Sequence, residues 1–448
     1  MKHRSEFRLL AAPFPGLLKI TPEAITLSVT GENSAERKWP HIEETLPELT
    51  CSSFREKFTL INLVMNRSSA MTLSRYPVPV SCFQVHYTAE SIAMSRDDSN
   101  RPKKINAIEI HSEAISRWVG YTEKQNEIML SLSKASKDFP PLNEFIIPLK
   151  NEDCIGISYS FRKFYSAPEF SAGATFSPYL HYHSSEGMSL VQAISKIKEI
   201  YTLYSFITNK GIDIQKIILH SSKKDTYLYL SLPQKPIDNI LYPRSTDIRF
   251  NQTGLPPFPN ACIQIFFDLS KKERDFYFKF LKYSTMANPE DSFLGYFRIL
   301  ENLCFLEKPY LSDENISTIC TEIKESLLSK GVIRKDAENF TRGVKRLNRS
   351  KYNTEKCIQE FYKSLPSDTT NQWIYTKDKI TDICKLRNDI THANDYSIDE
   401  LSLHQNLAFL EGLLTAALLK ALGVPNEAIH ILITRINSYR LVANNSPI

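Results

Sequence analysis

Between positions 387 and 392 the sequence gathers an arginine, an asparagine and a histidine, Arg387, Asn388 and His392. Cutting RNA with the ribose 2′-hydroxyl as nucleophile requires a group that titrates near neutrality, which is the property of histidine. It also requires fixed positive charge on the phosphoryl oxygens as negative charge builds there, and arginine keeps its charge throughout. Asn388 and His392 are four apart and share one side of the helix or its last turn, where Thr391 and Asn394 add polar groups. The stripe Ile380, Ile383 or Cys384, Arg387, Ile390 assigns Arg387 to a buried face. A guanidinium there needs an anion, a carboxylate or a subunit interface, because stripping it of water without one is costly. An Arg/His pair near a helix end also has a plainer use, capping the last carbonyls or holding a carboxylate of the same bundle. The residues alone leave both readings open. No acidic cluster with metal-ligand spacing accompanies them, which disfavours a two-metal nuclease and implies no metal or cofactor.

Two other features bear on the same chemistry. Arg342, Lys345, Arg346 and Arg349 fall at helical spacing on one face, extended by Lys351, and such a stripe can track a phosphate backbone or be plain solvated surface. Glu301 lies in the run FLGYFRILENLCFL, beside a buried side made of Phe293, Phe297, Leu300 and Leu303 or Cys304. It is either the carboxylate that orients Arg387 or a surface residue. The alternating His181-Tyr182-His183 has no acidic or cysteine partner nearby and reads as exposed strand rather than a metal site.

The elements that must position these groups are helical. Periodicity predicts helices over 266–284, 290–306, 314–329, 335–348, 353–364, 376–391, 398–422 and 426–438. Ser397 with Glu400 reads as a capping box, and Gly423 followed by Pro425 as a helix stop. Short connections between amphipathic helices favour a bundle. The first half differs. Ile25, Leu27 and Val29 alternate with polar residues, as Ile155, Ile157, Tyr159 and Phe161 alternate with Gly156, Ser158 and Ser160, and both patterns predict strands. Shorter strands are expected at 127–133 and 145–149, a helix at 188–207 packed on the sheet, and a hairpin from 216–220 and 226–232. The prolines between 233 and 260 break both periods. The expected chain is therefore a multidomain α+β protein: a mixed, strand-rich domain over 1–232, a proline-rich linker over 233–262, an all-α bundle over 263–440 and a tail over 441–448.

Composition restricts the partners less. The 55 basic against 50 acidic residues give +5, compatible with a nucleic-acid partner without demanding one. Eight scattered cysteines contain no CxxC pair, which argues against a zinc finger and for reduced thiols. The start resembles a signal peptide only faintly, since Glu6, Arg8, Pro13 and Pro15 interrupt it, so a cytoplasmic protein is expected. The apolar stretch 406–424 contains Glu411 and Lys420 and reads as a core helix rather than a membrane span.

The run RNDITH, Arg387 to His392, resembles the Arg-polar-x3-His motif of HEPN-domain ribonucleases, and with FLGYFRILENLCFL and the many-helix layout it is similar to the Apea-like branch of that superfamily. The resemblance covers about 263 to 440, and the first half is more loosely similar to the domain preceding the bundle in ApeA-type phage-defence proteins. It implies a HEPN-like bundle, Arg387 and His392 as the catalytic pair, and Asn388 at the polar position. It also implies metal-independent endoribonuclease activity on RNA, transfer RNA among the candidate substrates, in a toxin or abortive phage-defence role. A homodimer whose Arg/His sets face each other is implied as well. The first domain would take part in sensing, for which a phage-derived trigger protein is a candidate partner. The alternative is a catalytically silent HEPN-fold RNA-binding or scaffold protein.

Overall fold

The computed structural model of the 448-residue chain describes residues 5–11, 14–21, 24–33, 44–54, 56–73, 80–95, 104–133, 142–166, 171–209, 212–222, 225–232, 240–245, 255–349, 352–392, 394 and 396–444. It divides into two compact units, Met1–Leu269 and Ser270–Ile448.

The first unit opens with β1 (Ser5–Ala11), β2 (Phe14–Ile20), β3 (Ile25–Asn33), β4 (Thr45–Ser52), β5 (Lys57–Leu73) and β6 (Val80–Ser95). They pair in the order β3-β2-β1-β4-β5-β6, and β3 pairs with β6 as well, from Ile25 opposite Ala89 to Asn33 opposite Ser81. That closes the six strands on themselves as a barrel, with β1 and β4 joined at Leu10 and Ser52. The alternation at Ile25, Leu27 and Val29 supplies part of its core, with Leu18, Phe58, Leu60 and Tyr87. Beyond β3, Ser91 to Met94 of β6 pair instead with β12 (Asp225–Leu230). The sheet continues through β11 (Ile214–His220), β7 (Ile105–Ser112), β10 (Ser171–Met188), β9 (Cys154–Ser166) and β8 (Asn143–Pro148). Helices α1 (Glu113–Val119) and α3 (Leu190–Ile207) pack on β7 and β10, where Ile108, Ile110 and Leu180 are fully buried. The hairpin and the helix expected from the sequence are β11, β12 and α3.

Two expectations fail in this unit. Residues 127–133 belong to a helix, α2 (Glu123–Ser133), in which Ile128 is buried while Met129 and Leu130 are exposed. A short apolar run does not by itself distinguish a strand from a helix. The expected linker is also folded where it is described. Leu241, Tyr242, Leu255 and Phe258 are buried, Trp118 Nε1 donates to the Tyr242 carbonyl at 2.8 Å, and both rings meet Phe258 edge-on. Proline removes periodicity without removing apolar side chains that pack. The helix α4 (Asn260–Asp268) follows and lies in this unit, so the division falls at Leu269/Ser270 rather than at 262/263. Residues 233–239 and 246–254 lie outside the described residues.

The second unit holds α5 (Lys271–Tyr283), α6 (Pro289–Leu303), α7 (Asp313–Ser329), α8 (Arg334–Asn348), α9 (Thr354–Lys363), α10 (Ser367–Thr370), α11 (Lys379–His392), α12 (Glu400–Ala421) and α13 (Asn426–Thr434). The helix expected over 266–284 is split because Ser270 caps a new one: its Oγ accepts from Glu273 N, and Glu273 accepts from Ser270 N at 2.7 Å. At α12 the cap is Asp399, which accepts from Ser402 N at 2.9 Å, and not the expected Ser397. Its stop is as expected. Gly423 takes φ +73°, and Val424 N donates back to Leu419 O at 3.1 Å. Buried almost all round, α12 packs on α6 as the central helix. Among the described residues no helix is long and apolar enough to cross a membrane. The expected tail starts later than 441, since Val442 is buried and its carbonyl accepts from Ile374 N at 2.9 Å.

Candidate functional site

Three helices of the second unit build the surroundings of Arg387. α11 packs on α9 and on α6, and α6 also packs on α9. The buried side of α11 is Ile380, Ile383 and Leu386, which leaves Arg387 at the border of that stripe with 30% of its side chain exposed. The sequence placed it on the buried face; the helix is turned so that Leu386 takes that position. The guanidinium carbon lies 5.4 Å from the centre of the Phe297 ring on α6, a ring that is itself buried. Nη1 donates to Asn388 Oδ1 at 2.9 Å, and Nη2 stands 3.7 Å from Glu301 Oε2. Glu301 is thus the carboxylate beside Arg387. Its other oxygen accepts from Thr354 Oγ1 at 2.6 Å, which fixes the acid, and among the described residues the long contact to Glu301 is the one ion pair of the guanidinium.

His392 is exposed in the last turn of α11, one turn beyond Asn388, which is also exposed. The chain after it is held back on the helix: Asn394 N donates to Asp389 O, and Asn394 Nδ2 to Asp389 Oδ1, both at 3.0 Å. Farther on, Tyr396 donates to Glu290 at 2.5 Å, and that carboxylate pushes the phenol up to about 12. Thr354, Glu355 and Thr381 went unnoticed in the sequence, and no spacing connects them with Arg387. Thr381 Oγ1 donates to Glu355 Oε1 at 2.7 Å. Burial first, then Glu355 and Glu301, push the Cys384 thiol up to about 12 against the opposing pull of Arg387.

Arg342, Lys345 and Arg346 on α8 and Arg349 at its C-terminal cap are all exposed, away from the buried Ala337 and Thr341. Arg349 Nε stands 3.6 Å from Glu307, and Arg342 reaches Asn339 at 3.4 Å. Lys351 lies outside the described residues. His181, Tyr182 and His183 do not converge: His181 Nδ1 meets Ser158 Oγ at 3.0 Å, Tyr182 bonds Asp153, and His183 is exposed. Among the described residues no group of three or more His, Cys, Asp or Glu is placed to hold a metal ion.

A second gathering of histidine and carboxylate lies in the first unit. Glu109 on β7 bonds His111 through one oxygen and His220 Nε2 through the other at 3.1 Å, while His220 Nδ1 meets Asp225 at 2.8 Å. Burial works to raise Glu109, but the two histidine hydrogen bonds outweigh it and hold the acid at about 2.

The family described as ApeA N-terminal domain 1 matches residues 4–275, and the family described as Apea-like HEPN matches residues 294–428, a span that includes Glu301, the α8 basic residues, Arg387 and His392. Comparison with curated proteins and with solved structures gives no match. With the first match covering well over half of its length and the second covering most of the helical unit, the chain belongs to the ApeA N-terminal domain 1 family and carries an Apea-like HEPN domain.

Proposed function

We propose that the helical unit is a metal-independent endoribonuclease in which Arg387 binds the phosphoryl oxygens, His392 moves the proton and Asn388 orients the guanidinium. The ribose 2′-oxygen attacks the adjacent phosphorus and loses its proton, and the 5′-oxygen leaves and gains one. The products are a 2′,3′-cyclic phosphate and a 5′-hydroxyl end. One observation supports this best: Arg387 and His392 stand in the last turns of one helix, the arginine braced by Asn388, Phe297 and a single 3.7 Å contact to Glu301, the histidine exposed to solvent. Arginine braced by one long contact retains donors for a phosphate. A homodimer would supply a second Arg/His set and so both an acid and a base. Family membership supports a toxin-like or abortive phage-defence role, with the first unit sensing a trigger.

The second reading is a silent HEPN-fold RNA-binding or scaffold protein, and the Glu301 contact favours it, because it gives Arg387 a partner within its own bundle. An RNA with a single 2′-deoxy nucleotide 5′ to a mapped cut distinguishes the two. Cleavage there should stop while binding persists, and chelators should change nothing. An unmodified RNA left intact by folded protein supports the scaffold; a 5′-phosphate on the product overturns the proposed chemistry.

A further inference from the structure

The turn from α6 to α7 holds large rings out in solvent on a backbone that is tied down. Phe305 and Tyr310 are 65% and 63% exposed. Asn348, buried at the end of α8, accepts from Tyr310 N through its carbonyl and from Leu311 N through Oδ1, both at 2.9 Å. Its Nδ2 donates to Leu311 O at 3.0 Å. From the other side the buried Cys357 thiol of α9 donates to Leu306 O at 3.8 Å. A ring on a fixed backbone has little freedom left to lose when something settles on it.

The neighbouring charges say what would settle there. Tyr310 is bonded to the residue before Arg349, so the ring and the exposed end of the α8 basic face start from adjacent backbone. Lys308, itself exposed, has Nζ 3.2 Å from the Tyr352 hydroxyl and 5.1 Å from the centre of that ring. The acids of the segment have other work: Glu307 lies 3.6 Å from Arg349, and Asp313 and Glu314 stand in the first turn of α7, where a helix favours negative charge. The core of a protein–protein interface is poor in lysine, whereas here cations are interleaved with the rings. That mixture fits an unpaired nucleotide, whose base offers a π-face and whose phosphate takes the cation. The position fits as well. Tyr352 is two residues, at most about 7 Å of chain, before Thr354, whose hydroxyl holds Glu301 beside Arg387.

We infer that the α6–α7 turn is a stacking subsite for an unpaired base flanking the cut, the base lying on Tyr310 or Phe305 while Lys308 and Arg349 meet the adjoining phosphates. A base inside a duplex is already covered on both faces, so the subsite selects loops and single-stranded ends over helix. The inference deepens the proposed function and rests on it for the ligand class, RNA. It uses neither Arg387 nor His392.

The test is binding by the full-length His392→Ala chain, in which cleavage is removed, of a single-stranded RNA of about twelve nucleotides containing one 2-aminopurine. Tyr310→Ala and Phe305→Ala, added to that chain at exposed positions, should each weaken binding about tenfold, and Tyr310→Trp should keep it. Stacking releases no counterions, so the slope of log affinity against log salt should stay as it was; a ring that merely arranged the basic face would flatten the slope when removed. The same sequence as a full duplex should bind alike with and without the two rings. Binding of the single strand that ignores both alanine substitutions, a flattened slope, or a protein captured through these rings while RNA affinity ignores them would overturn the subsite alone. Failure of the His392→Ala chain to bind any RNA would overturn the RNA reading and the subsite with it. An unaltered chain that shows ring-dependent binding but leaves the RNA intact would support the subsite and overturn only the chemistry.

Discussion

The Glu109 cluster and the Arg387 site both set histidine near carboxylate, the first with Glu109, His111, His220 and Asp225 and the second with Arg387, Glu301 and, at the end of α11, His392. They differ in what is left over. On the sheet, both Glu109 oxygens are engaged, and His220 has a carboxylate at each ring nitrogen, an arrangement that favours the doubly protonated imidazole. The strands β7, β11 and β12 fix that geometry through their register, with His220 directly opposite Asp225. On α11 the arginine has one neighbouring amide and one long ionic contact, and the histidine stands in solvent. A cluster that satisfies itself cross-links strands. A site that binds must keep unspent hydrogen-bonding capacity, and by that criterion the helical unit is where chemistry is expected.

The largest effect that would break this comparison is on turnover. His392→Ala should lower RNA cleavage by about 10²–10⁴-fold, the usual contribution of a positioned acid or base, with the melting curve unchanged because the side chain is exposed. His220→Ala should leave cleavage intact in the same assay, and the reverse pattern would place the chemistry on the sheet. A smaller effect sharpens the comparison. Changing Arg342, Lys345, Arg346 and Arg349 together to Gln should flatten the slope of log affinity against log salt by roughly 3 for single-stranded RNA, as each lost phosphate contact releases fewer counterions. An unchanged slope in a binding titration would make the α8 basic face ordinary surface.

Much of this arrangement was legible in the sequence. Alternation showed β3 and β9, helical spacing showed the bundle, and Gly423 showed the end of α12, because each signal is local and repeats over several residues. What could not be seen is long-range. The barrel closes through β3 and β6, separated by about fifty residues, and no local pattern carries that pairing. Arg387 and Glu301 could be named as partners, but Thr354, which holds Glu301, depends on how α9 packs on α6. Capping at α12 shows a milder limit. Ser397 and Asp399 are both competent caps two residues apart, and only the backbone geometry selects Asp399. The proline-rich stretch misled for a different reason: its buried Phe258 packs on Trp118 and on the buried Tyr242 without any period.

The smallest expected effect concerns the sheet cluster alone. Hydrogen bonding to Glu109 raises the His220 pKa above the usual histidine value; burial opposes this, and Asp225 adds to the rise. A group whose folded pKa is raised contributes stability that is fully present below its unfolded value of about 6.5 and is lost as pH rises through the folded value. Glu109, held at about 2, stays charged across that range, so His220 is the partner that changes. The β11 and β12 backbones should therefore open more readily as pH climbs above neutrality. After correction for the intrinsic rate, hydrogen exchange in Ile217–His220 and Asp225–Leu228 should quicken about two- to fivefold, a local change because each side chain is partly solvated. His220→Gln keeps one donor and has no proton to lose, so its exchange should already be faster at low pH and show no such rise. Exchange that is flat with pH in the unaltered chain, or a rise that survives in His220→Gln, would mean that the histidine is not the charged tie between these strands.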